Sequence, residues 1–250
     1  FGATVTYANA AGAEHTITRG NNAYAAEDLA DQDIMGYSPD GGGGLLFDFP
    51  YVQEQGPASY LDAAITNLFY TCNVLHDVWY RYGFDEESGN FQSFNYGGSP
   101  GADDAVIAQA QDGGGTNNAN FATPADGGRG RMQMYVFTGP NPDRTSGLDQ
   151  QVLLHELGHG LSNRLHANAS GLSSGMSGGM GEGWSDFYAM ALLSTAAQPV
   201  TGISDAVADA GGRNHGLALL SNGTVKAWGL NKYGQLGDGT TTNRTTPITV

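Results

Sequence analysis

Leu153-Leu154-His155-Glu156-Leu157-Gly158-His159-Gly160-Leu161 sets two histidines four residues apart, with a glutamate directly after the first. On a helix, positions i and i+4 share a face, so both imidazoles can grip one metal ion. Glu156 is rotated partly off that face and can reach a water on the ion's open side. Random placement of these residue types yields about 0.004 such words in a chain of this composition, so accident is a poor explanation. The competing reading is two exposed histidines on an ordinary helix. It stands until a third ligand is found.

The pattern H-E-x-x-H is that of zinc peptidases, with the glutamate as general base. Such a site needs three protein ligands and an open fourth position. One option is the extended motif with a third histidine six residues after the second. It fails here, because Leu165 occupies that position, and His166 is rotated about 100° further around the helix. The other option is a carboxylate from a following helix. Glu182 opens Glu182-Gly183-Trp184-Ser185-Asp186, so Glu182 and Asp186 are again i and i+4. Glu182 can bind the metal, while Asp186 accepts the free ring N–H of a ligand histidine, His155 being the candidate. Favourable acidic residues at a helix start explain the charges but not their pairing with the upstream motif.

Charged residues make up 14% of the 250-residue chain, and glycine, at 39 residues, is about twice as frequent as usual. A loop-rich fold held by backbone, Asn, Ser and Thr hydrogen bonds is expected. The net charge of −15 argues against a nucleic-acid partner. Acidic loops rich in Asp, Asn and Gly are compatible with Ca²⁺ ligation, although solvation suffices for most of them. With the single cysteine Cys72, no intrachain disulfide can form, which does not exclude secretion. No apolar run approaches membrane-spanning length. A chain beginning at Phe1 without a leader is expected to be a processed form or a fragment.

Residues 1–50 read as short strands and loops, among them Ala3-Thr4-Val5-Thr6-Tyr7 and His15-Thr16-Ile17-Thr18, with a flexible turn at Gly41–Gly44. Ser59 to about Tyr82 is a helix with Leu61, Ile65, Leu68, Cys72, Leu75 or His76, and Trp79 on one stripe. Cys72 is most simply a buried hydrophobe, and His76-Asp77 is more simply a satisfied core histidine than a catalytic pair. Asp104–Ala110 and Arg131–Phe137 are the clearest strands. Thr116–Phe121 between them is either an ordinary edge strand or one that takes up a peptide by strand addition. Gly139–Gly147 reads as a loop, with Asp149 serving the start of the metal helix, which runs to about Leu165. Residues 167–183 carry no period, and a second helix is expected from about Glu182 to Thr195, burying Phe187, Met190, Ala191 and Leu193. Beyond Pro199, four short strands are expected: Ala206–Ala208, Leu217–Leu219, Thr224–Trp228 and Ile248–Val250.

From about Thr18 to Leu193 the chain resembles the fungalysin family of secreted metallopeptidases. The matching words include Thr18-Arg19-Gly20-Asn21-Asn22, Asn67-Leu68-Phe69-Tyr70, Leu75-His76-Asp77, Gly83-Phe84-Asp85-Glu86 and Gly89-Asn90-Phe91-Gln92. Further on come Ala110-Gln111-Asp112-Gly113, His155-Glu156, Gly158-His159-Gly160, Ser162-Asn163-Arg164-Leu165 and Gly178-Gly179-Met180-Gly181-Glu182-Gly183-Trp184-Ser185-Asp186. The resemblance implies an α+β, zincin-like fold with zinc on His155, His159 and Glu182, Glu156 as the catalytic base and Asp186 behind a histidine. It also implies a secreted endopeptidase acting on proteins, made with a propeptide. By analogy with related zincins, Asn117, Asn118, Ala119 and Phe121 would lie on a substrate-binding edge strand.

The resemblance stops near Ala197, so the family domain would be truncated, lacking its mostly helical second half. The tail instead resembles one repeat of the regulator-of-chromosome-condensation propeller family, through Ala210-Gly211-Gly212, His215, Asn222-Gly223-Thr224-Val225, Ala227-Trp228-Gly229 and Tyr233-Gly234-Gln235-Leu236-Gly237. His215 belongs to that repeat pattern and is given a structural role. A single blade cannot bury both its faces, so further repeats that bind an unknown partner are expected. The expected division is a peptidase domain at 1–197, a linker at 198–202 and an all-β, propeller-blade-like tail at 203–250. A rival reading is a secreted binding or adhesion protein in which the propeller recognises the partner and the peptidase part is an inactive remnant.

Overall fold

A computed structural model describes residues 15–193, 203, 205–212 and 215–250. The strand expected at Ala3–Tyr7, the linker at 198–202 and the expected helix end at Thr195 lie outside the described residues. The chain divides into two compact units, Phe1–Leu193 and Ser194–Val250. Its secondary structure is mixed α+β.

The first unit is built on a four-stranded sheet of β1 (Ala23–Glu27), β2 (Val106–Ala110), β3 (Ala119–Ala122) and β4 (Arg131–Met134), in the order β1-β2-β4-β3. The pairs β1–β2 and β2–β4 are parallel, while β3 runs antiparallel to β4 and pairs along one edge only. Small residues dominate β1 and β2. Ala23, Ala25, Ala108 and Ala110 are buried, and α1 (Leu61–Arg81) packs over β1 and β2. The expected stripe on α1 is the buried one, through Ile65, Leu68, Cys72, Leu75 and Trp79, with Leu61 half-buried against the core. Alanine in the strands keeps sheet and helix close enough for these larger side chains to interdigitate.

The stretch expected as one strand over Arg131–Phe137 breaks at Tyr135. Its second part, β5 (Val136–Phe137), leaves the main sheet and pairs with β6 (Arg144–Thr145), inside the stretch expected to be a loop. The Tyr135 carbonyl accepts from both the backbone N–H and the hydroxyl of Ser146, which holds the departure in place. The chain then enters α2 (Gln150–Leu165), where the Asp149 carboxylate accepts from the N–H groups of Gln151 and Val152. That satisfies two of the helix's orphan donors.

The third helix departs from expectation. α3 spans Gly175–Leu193 and starts within the glycine-rich stretch that carries no hydrophobic period. Its buried residues are Gly181, Ser185 and Ala189, whereas Phe187, Met190, Ala191 and Leu193, expected in the core, are exposed, Phe187 by 59%. A small-residue face explains both results. A Cβ on Gly158 of α2 would lie 3.0 Å from the Ser185 Cα, so the two backbones approach too closely for large side chains between them. Beside the buried Ala189, the half-buried Tyr188 turns inward and meets Trp79 edge-on at 6.4 Å.

The second unit is an antiparallel meander of β7 (Ala206–Gly212), β8 (His215–Leu220), β9 (Val225–Gly229) and β10 (Arg244–Thr249). Each expected strand falls here, and β7, β8 and β10 are longer than expected. Asn231, fully buried, cross-links the β9–β10 connection by donating to Asp238 and the Thr240 carbonyl and accepting from the Leu236 N–H. Arg244 closes this knot onto the Asp238 carboxylate at 2.5 and 2.9 Å.

Candidate metal centre

α2 and α3 together bring His155, His159 and Glu182 to one point. His155 Nε2 lies 3.0 Å from His159 Nε2 and 3.2 Å from Glu182 Oε2, and the last side of the triangle, His159 Nε2 to Glu182 Oε2, is 3.5 Å. Two imidazoles and a carboxylate at about 2.0–2.1 Å from a tetrahedral zinc stand about 3.3–3.4 Å apart. The three observed edges straddle that value. The donors therefore fit the ion in number, chemistry and spacing, with the fourth corner left to water or substrate. The two rings are nearly perpendicular, at 84°, so both nitrogen lone pairs can be directed at one point without ring overlap.

The supporting contacts favour the ligand state of each histidine. His155 Nδ1 lies 2.8 Å from Asp186 Oδ1, and donation of its N–H to that carboxylate leaves Nε2 as a bare lone pair. Burial lowers the pKa of His159, against the pull of the Glu182 carboxylate, which favours the neutral ring a metal needs. Glu182 and Asp186 are 64% and 69% exposed at their side chains, so the site is open on the carboxylate side. Exposure does not turn Glu182 away, since its Oε2 faces both imidazoles. Glu156 is the opposite case. It is buried, with 6% exposure, and burial pushes its carboxyl up to about 7; the Glu182 charge adds to this and His155 opposes it.

A cleft of about 390 Å³ opens over these groups. Asn118, Ala119, Asn120 and Phe121 form one wall, and His155, Glu156, His159 and Asn163 of α2 form another, with Leu172, Gly178, Gly181 and Glu182 completing the lining. Three of the four residues expected on a substrate strand, Asn118, Ala119 and Phe121, thus stand beside the metal donors. Asn117 does not. Its carboxamide is turned to Thr138, accepting from the N–H at 2.8 Å and donating to the hydroxyl at 3.0 Å. Asn120 donates to the Tyr135 hydroxyl at 2.6 Å, which ties β3 to the residue that follows β4. Asn163 and Leu172 escaped the sequence reading, since neither residue type announces a role.

The remaining candidates lie elsewhere. His76 is enclosed by Asp77, 3.1 Å from Nδ1, and by Asn90, whose amide reaches Nε2 at 3.2 Å; burial lowers its pKa despite Asp77. Neither it nor the buried Cys72 lines the cleft. His166 meets the Ser162 carbonyl at 2.9 Å and takes no part in the ligand triangle.

A family model described as fungalysin metallopeptidase matches residues 3–211, more than the 18–197 delimited by the motifs, and a regulator of chromosome condensation repeat matches residues 209–235. Extracellular metalloproteinase 5 of Trichophyton tonsurans is 46% identical over 182 residues, covering 71% of this chain and 30% of that protein. Extracellular metalloproteinase 1 of Trichophyton equinum is 48% identical over 192 residues, with the same two coverages. Probable extracellular metalloproteinase 5 of Arthroderma benhamiae (strain ATCC MYA-4681 / CBS 112371) is 47% identical over 184 residues, covering 71% and 29%. The chain thus spans under a third of the length of these relatives.

Proposed function

The chain belongs to the fungalysin metallopeptidase family, and from that premise and the His155–His159–Glu182 geometry we propose a secreted, zinc-dependent endopeptidase that hydrolyses peptide bonds in proteins. The observation that carries this reading is the triangle of donor atoms with Asp186 behind one corner and Glu156 beside it. Zinc held there supplies Lewis-acid polarisation of a carbonyl and an acidified water. His155, oriented by Asp186, and His159, whose burial favours the neutral ring, would hold the ion with Glu182. Glu156 takes the proton of the attacking water on its carboxylate and delivers it to the leaving amine. The wall formed by β3 receives the substrate as an added strand, so that main-chain hydrogen bonds align the scissile bond.

The names of the relatives support an extracellular location. We assign a zincin-like peptidase domain to 1–197, a linker to 198–202 and one propeller-type blade to 203–250.

The test is casein cleavage with and without a chelator, alongside Glu156→Gln. Wild type should lose activity to the chelator and regain it with zinc. Glu156→Gln should retain zinc and lose about 10²–10⁴-fold in rate. Wild type with full zinc occupancy that is no more active than Glu156→Gln would refute the enzymatic reading and leave a binding role.

A further inference from the structure

The last turn of α2 ends in a guanidinium with no solvent exposure. Arg164 Nη1 reaches Asp104 Oδ2 at 2.8 Å, the Gly89 carbonyl at 3.0 Å and Asp126 Oδ1 at 3.1 Å. Its Nε donates to the Pro124 carbonyl at 3.1 Å and its Nη2 to the Gly128 carbonyl at 2.9 Å. The guanidinium carbon stands 4.2 Å from the centroid of the Phe91 ring. Arg164 is five residues past His159, about 140° around the helix, and cannot touch the metal. Its reach is instead to the turn that joins β3 to β4, since Pro124 and Gly128 lie between those strands.

A second feature adjoins the first. Phe91, under the guanidinium, packs on Phe121 with ring centroids 5.8 Å apart, and Phe121 lines the cleft. The ring pair meets α2 at Gly160, next to His159. A Cβ on Gly160 would lie 2.9 Å from the Phe121 ring and 3.1 Å from Phe91, and one on Gly130 would lie 2.8 Å from both rings. The rings are therefore wedged between two backbones with no slack.

We propose that Arg164 is a positioning residue. It locks the β3–β4 turn onto the end of α2 and, through Phe91 and Phe121, fixes the gap between the edge strand and the helix that carries His155 and His159. The inference rests on the peptidase reading insofar as a peptide seated on β3 is what this gap places against the metal. It separates two properties of the site. Metal affinity depends on the donor atoms of His155, His159 and Glu182 and on Asp186, none of which is a partner of the Arg164 guanidinium. Peptide placement depends on β3, whose turn to β4 the guanidinium holds. A misplacement of about 1 Å remote from the chemistry can cost about 10²-fold in rate.

The test pairs Arg164→Met with Asp104→Asn, so that the fully buried Asp104 carboxylate is not stranded, while Asp126 keeps access to solvent, and runs Gly160→Ala separately as a variant that keeps every charge. Three quantities are measured on the full chain: zinc affinity, KM and kcat for a fluorogenic peptide, and hydrogen exchange at the β3 amides. Both variants should raise β3 exchange and lower kcat/KM by about tenfold or more, while zinc affinity stays within about twofold. Arg164→Lys should not rescue, because a point charge cannot replace the planar fork. Adding Phe121→Leu to Gly160→Ala should recover part of the loss by restoring room. Zinc affinity falling in step with kcat/KM would show ordinary destabilisation and overturn the proposal, as would β3 exchange unchanged in both variants. A zinc-loaded wild type that neither binds nor cleaves peptide would overturn the peptidase reading instead, and the exchange data would still decide the clamp.

Discussion

Replacing Asp186 with alanine isolates the contribution of the group behind the ligand. The carboxylate lies 2.8 Å from His155 Nδ1, within the range of a charge-assisted hydrogen bond, and touches no other donor of the triangle at that distance. Removing such an outer partner typically costs 10–100-fold in metal affinity. The side chain is 69% exposed, so solvent screening places the effect at the lower end, about tenfold or about 1.4 kcal/mol. Asp186→Asn keeps an acceptor oxygen but loses the charge, which removes about half of that free energy and leaves roughly a threefold loss. Folding should be unaffected, because alanine at an exposed helix position raises helix propensity. Competition for zinc against a chromophoric chelator at neutral pH reads both values directly. Repeating it at high salt should narrow the gap between wild type and variant. An alanine variant whose zinc affinity stays within about twofold of wild type contradicts the orienting role and leaves the 2.8 Å contact incidental.

Three further outcomes follow from the packing. Gly158→Val should push α2 and α3 apart at the Ser185 contact, costing about 1–3 kcal/mol in denaturant unfolding and weakening zinc binding with it; a variant as stable as wild type would disprove the tight contact. Cys72, whose thiol burial pushes up to about 12, should resist alkylation in the folded chain and react only on unfolding, so rapid native labelling would contradict its placement. In the second unit, the Arg244 guanidinium holds the Asp238 carboxyl well below the usual carboxylate range. The sign follows from that depression: the stabilisation is present above the unfolded-state pKa and disappears as pH falls through the folded-state value. Asp238→Asn should therefore melt earlier than wild type at neutral pH and converge with it in acid, and a gap independent of pH would exclude the ion pair as its source.

The chain was most legible where chemistry repeats at helical spacing. The stripe on α1, the extent of α2 and its Asp149 cap all follow from local pattern, as do the strands of the second unit. The early start of α3 does not. Its buried face consists of absences, Gly181, Ser185 and Ala189, and hydrophobic periodicity registers only side chains large enough to be apolar. The conformational cost of so many glycines is met by packing on α2, a tertiary effect no local reading contains. Phe187 and Met190 stay exposed for the same reason, since the contact with α2 requires small residues rather than bulk. Asn117 was misplaced because an Asn beside a strand can hold local backbone instead, as it does with Thr138. Arg164 went unread as a residue with a task because its partners lie 36 to 75 residues away. A hint was available: with 10 Lys and Arg in 250 residues, a lone arginine in the last turn of an apolar helix invites a question.

Environment divides the two glutamates of the centre more sharply than spacing does. Glu182, proposed as a ligand, stands 64% exposed with its Oε2 turned to both imidazoles. Glu156, proposed to take up a proton and release it again, is buried, with its carboxyl pushed up to about 7. Exchanging the roles would place a permanent anion in the wall of the cleft and a mobile proton in open solvent, the less favourable arrangement for both tasks. The order of the residues along the chain names the candidates, but burial tells them apart. The two glutamates come from α2 and α3, whose backbones meet closely at Gly158 and Ser185. The small residues at that contact hold the carboxylate of α3 at hydrogen-bonding range from the histidines of α2, and any side chain that widens the contact must enlarge the metal triangle with it.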